Sequence, residues 1–177
     1  KQWLLRLAFL KWIFAKDYQS ALTDLFSYKK EFGSSYEQDH TLELYIGICY
    51  LQMNQFNQAL KILKENIENQ EKEHGIGWVH YLDRYYLAIA YYENNEYALA
   101  ISELDDVLKE YPKFSDAQYY KAICLNYLGD KENAKILMAK GKTDFESGNT
   151  FNEDSNQYEN YPYQITWQWQ VTESILN

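Results

Sequence analysis

The sequence has few of the residues that punctuate a chain or stiffen it covalently. It holds two cysteines, two prolines, seven glycines and three histidines in 177 residues. Two cysteines cannot make a disulfide-dense scaffold. Few prolines and glycines argue against a loop-rich or low-complexity chain. No uncharged apolar run reaches the ~18 residues a membrane-spanning helix needs, and the mean hydropathy is −0.60. The opening KQWLLRLAFLKWIFA is basic and then apolar, like a leader peptide. Arg6 and Lys11 interrupt that run, and its residues complete a repeat described below, so it reads as part of the fold.

Catalytic signatures are also scarce. No glycine-rich phosphate loop follows a strand-like segment, and no serine sits in a recognisable nucleophile elbow. His74 and His80 flank GIGWV near Glu71, Glu73 and Asp83, but their spacing matches no metal motif, so they read as a loop and a helix-start histidine. Neither cysteine has a histidine close in sequence to activate it. The expectation is a non-enzyme with no catalytic, cofactor or metal residues. The net charge of −9 argues against a nucleic-acid backbone as partner. That charge is polarised. Residues 1–16 carry Lys1, Arg6, Lys11 and Lys16 and no acid, whereas residues 143–177 carry six acids and no base.

What the chain does have is a recurring phrase. DYQSAL, QFNQAL, EYALAI and DKENAKI place Ala21, Ala59, Ala100 and Ala134 in one slot, at intervals of 38, 41 and 34 residues. Ahead of each lies an apolar, aromatic stretch of helical period. Twelve residues before the alanine a small residue recurs as Gly47, Ala88 and Ala122, while the first unit has Phe9 there. Four residues after it a large apolar residue recurs: Leu25, Leu63, Leu104 and Met138. Small residues let two helices approach closely, and large ones fill the seam. Pro112 stops the second helix of the third unit.

The pattern resembles the tetratricopeptide repeat, a helix–turn–helix of about 34 residues. The resemblance covers roughly 2–148. It implies an all-α solenoid of about four units, near 2–36, 40–75, 81–114 and 115–148, followed by an acidic, aromatic tail over 149–177. Extra residues fall around GSSYEQ and NQEKEHGIG, where glycine and polar residues signal loops or extended helix ends. Cys49 and Cys124 occupy the same slot of units two apart, which predicts free thiols.

The resemblance also implies a protein or peptide partner on a concave face lined by the first helix of each unit. Carried over by register, that face consists of Trp3, Arg6, Tyr45, Ile48, Tyr85, Tyr86, Ile89, Tyr92, Tyr119, Tyr120 and Tyr127. It lacks the Lys, Arg and Asn set that clamps a carboxylate in chaperone-binding members. It is rich in tyrosine, which offers broad apolar contact with a polar handle. A second reading is a structural subunit of a larger assembly, one of the cell envelope included, or a self-associating chain. Its basis is the first helix, apolar nearly all round, and the tail. Free thiols suit the cytoplasm, though the envelope stays open. Within the tail, ITWQWQV alternates like a strand, but Pro162 suits the first turn of a helix over 163–176. The tail either caps the last unit or returns to cover the tyrosine face.

Overall fold

The computed structural model describes residues 2–37, 40–153, 156, 158–166 and 168. Among them are eight α-helices and one two-residue β-pairing. The chain divides into two compact units, 1–90 and 91–177, with the division falling inside the fifth helix.

The first unit holds α1 (Gln2–Ile13), α2 (Tyr18–Phe32), β1 (Tyr36–Glu37), β2 (His40–Thr41), α3 (Leu42–Gln52), α4 (Phe56–His74), a short 3-10 turn (Ile76–Trp78) and most of α5 (Tyr81–Glu93). β1 and β2 pair antiparallel, with Tyr36 opposite Thr41. The second unit continues from the end of α5 into α6 (Tyr97–Glu110), α7 (Ser115–Tyr127) and α8 (Lys131–Glu146).

The turn inside each helix pair explains the repeated phrase. Lys16, Asn54, Asn95 and Gly129 have φ of 54°, 57°, 63° and 89°, and each stands five residues before its repeat alanine. A left-handed residue reverses the chain at a helix end, a task glycine and asparagine do with least strain. After it the N–H groups of Gln55, Glu96 and Asp130 bond back five residues to Tyr50, Tyr91 and Leu125. Each repeat alanine then bonds to the carbonyl of its helix's N-cap, as Ala59 N–H does to Gln55 at 3.0 Å. Asp17 and Asp130 also cap with their side chains, accepting from Ser20 and Asn133 N–H.

The alanines are fully buried, and Leu25, Leu63, Leu104 and Met138 lie beside them at 3% exposure or less. At Gly47 the approach is closest: an added Cβ would stand 2.4 Å from Leu63 Cδ2. The first unit departs from the expected register. Its turn is one residue longer, with Asp17 N–H reaching back six residues to Lys11. Its small residue is therefore Ala8, fully buried, and Phe9 is only half-buried. The unit that lacked a small residue at position 9 has one a single place earlier.

Candidate interaction surfaces

In the first unit most of the expected partner-facing side chains are interior. Tyr45, Ile48, Tyr85, Tyr86 and Ile89 are 3% exposed or less. Their rings are structural. Trp12, also fully buried, stands 5.4 Å from Phe9 edge-on and 5.5 Å from Tyr45, and the Tyr85 and Tyr86 rings meet edge-on at 5.4 Å. These aromatics hold the helices together, as aromatic pairs in cores do. A buried ring offers nothing to a partner, so the expected face is much reduced.

What remains open is on α1. Leu5, Ala8, Trp12 and Ile13 turn inward. On the other side Trp3, Leu7 and Leu10, with Phe14 one residue past the helix, follow one another at intervals of four, three and four residues and are 64%, 38%, 51% and 42% exposed. That spacing makes one stripe along the helix. Arg6 is exposed near it. Lys11 at the other edge is held by Asp24 of α2 at 2.5 Å. A helix with apolar residues on both sides and few charges leaves one apolar side uncovered here.

In the second unit the chain's own tail occupies the inner-helix face. Tyr119 and Tyr120 are 8% exposed, Tyr92 is half-buried and Tyr127 is 59% exposed. Tyr127 stacks flat on Tyr97 at 4.5 Å. After α8 the chain turns at Gly148, and the Asn149 carbonyl accepts from Ser115 N–H at 2.9 Å. Phe151 packs edge-on against Phe114 at 5.4 Å and against Tyr161 at 5.8 Å. Tyr163 sits 6.1 Å from Tyr120 and hydrogen-bonds Glu93.

Asp116 holds this arrangement. It is fully buried in the first turn of α7. Its Oδ1 accepts Ile165 N–H at 2.6 Å, and its Oδ2 accepts from the hydroxyls of Thr150 at 2.8 Å and Ser115 at 3.1 Å. Burial pushes its pKa up to about 6, against the lowering effect of those donors. The sequence marked Asp116 in no way, since two of its three donors come from residues 34 and 49 positions later.

The helix expected over 163–176 does not begin there. Tyr163 has φ 61°, and residues 164–166 are not helical. Residues 167 and 169–177, with Trp167 and Trp169, lie outside the described residues.

Cys49 and Cys124 are free and buried. Burial pushes both thiols upward, Cys124 to about 12, so neither is a ready thiolate.

Comparison with protein families matches residues 42–69 and 84–113 to the tetratricopeptide repeat. Those two segments carry the tetratricopeptide repeat, and the helix pairs around them share its fold. Solved structures agree. MamA 41-end from Desulfovibrio magneticus RS-1 superposes with a TM-score of 0.65 at 14% identity, over 81% of this chain and 74% of that one. A Podosopora anserina protein described as a kinesin light chain with nearly identical TPR-like repeats gives 0.58 at 17% identity, over 82% of this chain and 74% of that one. Identities this low establish the helical-repeat fold alone. A search of curated proteins finds no match. Repeats of this class serve as protein-interaction and scaffolding surfaces. Among the described residues no helix is long and apolar enough to cross a membrane.

Proposed function

We propose that this chain is a protein-interaction module without catalytic activity, and that its contact residues are the exposed apolar and tyrosine side chains of the first helix of each repeat. In the first unit these are Trp3, Arg6, Leu7 and Leu10 of α1, with Phe14 just past its end. In the second they are Tyr92 and Tyr127, beside the tail. The remaining tyrosines of that face support the surface from within. The α1 stripe carries the reading, because continuous exposed apolar area on a folded domain marks a contact site. Burying it against an apolar segment would yield about 25 cal/mol per Å², less the cost of ordering the partner.

A photo-crosslinking residue placed at Leu7 or Leu10 tests this in the native cell. The reading requires a protein adduct at the stripe and none at Lys61, whose side chain is 77% exposed on α4. No adduct at either stripe position would refute it.

The same stripe supports the second reading, a self-associating structural subunit. An apolar stripe is self-complementary, as a two-fold interface requires. Light scattering decides between them. A monomer at tens of micromolar favours a foreign partner. A dimer that Leu7→Glu and Leu10→Glu dissolve favours self-association.

A further inference from the structure

Three side chains distant in sequence meet in the first unit. His40 opens β2, His80 immediately precedes α5, and Asp83 lies in its first turn. One potential ligand atom on each lies within 4.8 Å of the other two. His40 Nδ1 faces Asp83 Oδ2 at 3.8 Å, both side chains almost wholly buried. The His40 and His80 rings meet edge-on at 4.7 Å. Behind them two buried amides of α4, Asn66 Nδ2 and Gln70 Nε2, donate to Asp83 Oδ1 at 2.7 and 3.0 Å. Both amides take the same carboxylate oxygen, which leaves the other directed at His40. His74, the neighbour that sequence proximity offered to His80, lies instead against Trp78 at 5.0 Å and Glu73 at 3.8 Å.

We propose that His40, His80 and Asp83 form a binding site for one divalent transition metal ion of the zinc class. Two imidazoles and a carboxylate are a donor set that zinc takes readily, whereas calcium and magnesium require oxygen. Zinc ligands stand ~2.0–2.2 Å from the metal, which puts tetrahedral neighbours about 3.4 Å apart. At the 4.8 Å limit of its separations the cluster therefore needs to contract by about 1.4 Å. Asn66 and Gln70 do what outer partners do in metal sites: they fix the carboxylate's orientation and leave one oxygen for the ion.

His80 is only half-buried, which supplies a route of entry and a fourth position open to water. Coordination ends the contact from Leu82 N–H to His80 Nδ1, because that nitrogen then carries either the metal or the ring proton. At 3.3 Å that contact is long for a hydrogen bond, so little is lost. The ion would pin β2, which leads into α3, to the start of α5, with α4 behind both. It would thereby lock the loop that makes this repeat longer than 34 residues.

The whole chain, stripped with a chelator and titrated with zinc chloride by calorimetry, tests this. The expected result is one ion per chain with a dissociation constant of ten micromolar or tighter. Cobalt in its place should give the intense visible absorption of a low-symmetry, four-coordinate ion. His80→Ala should weaken zinc at least tenfold and remove the cobalt bands. Asp83→Asn, which keeps the side chain's shape, should do the same, while His74→Ala should leave both intact. Circular dichroism of each metal-free variant checks that it is folded. No one-site uptake by the wild type, or uptake that persists in folded His80→Ala and Asp83→Asn, would overturn the proposal and leave the cluster a buried polar contact.

Discussion

Asp116 in α7 accepts the backbone N–H of Ile165 at 2.6 Å, across 49 residues of chain. With Thr150 on its second oxygen, one buried carboxylate holds both ends of the returning tail. Asp116→Ala removes the acceptor and leaves an amide and two hydroxyls to find water. The expected cost is about 2–4 kcal/mol, as for losing charged hydrogen bonds in a core. Amide exchange should quicken over 149–166 and along α7, while α3 keeps its protection. Unchanged exchange in the tail would mean that Phe151, Tyr161 and Ile165 hold it by burial alone.

The same carboxylate makes stability depend on pH. Its folded pKa, about 6, lies above the ordinary Asp value of 3.8. Between those values the folded state binds the proton more tightly than the unfolded chain does. The group's contribution is therefore fullest below pH 4, declines as pH rises through 4 to 6, and is lost above 6. The span is of order 1–3 kcal/mol, at 1.36 kcal/mol per pKa unit. Urea midpoints of the wild type and Asp116→Asn, compared at pH 4.5 and 7.5, isolate it. The gap between the two proteins should differ between the two pH values, and a constant gap would contradict the shift.

Lys16 is the odd member of the four turn residues. Asn54, Asn95 and Gly129 suit a left-handed backbone, and a lysine does not. Lys16→Gly should stabilise the chain by about 0.5–1 kcal/mol, the usual gain when strain at positive φ is relieved. Asn54→Ala should cost a similar amount. Thermal melting measures both.

Gly47 and Leu63 should be coupled. Alanine at 47 gains helix propensity, about 1 kcal/mol, but its methyl collides with a fully buried Leu63. Overpacking of this kind costs about 1–3 kcal/mol, so Gly47→Ala alone should be neutral to destabilising. In a Leu63→Ala background the same change should be stabilising. Additive effects would show that Leu63 moves aside freely.

Both thiols should resist alkylation in the folded protein. Intact mass after treatment with iodoacetamide should show none modified under native conditions and two modified in denaturant without reductant. Modification of fewer than two in denaturant would mean that a bridge exists.

The sequence alone was enough for the class of fold and for the slots where paired helices meet. Those features are local. An alanine, a small residue and a large residue at helical spacing specify how two adjacent helices meet, and a left-handed residue five places earlier specifies the reversal. Even the slip in the first unit is local, though Phe9 concealed it, because nothing in RLAFLKWIFAKDY announces a turn one residue longer. Tertiary structure decided the rest. Tyrosine carries the same pattern whether it fills a seam or lines a surface, so only packing shows that Tyr45, Tyr85 and Tyr86 are interior. Asp116 has no signal of its own, because its meaning comes from donors that return from the tail. His40 stands 40 residues from His80, with a whole helix pair between them, and only the stacking of α3, α4 and α5 brings the two rings together. Periodicity reports what a residue does to its own helix, and burial and long-range hydrogen bonds depend on which segments of chain come back to meet it.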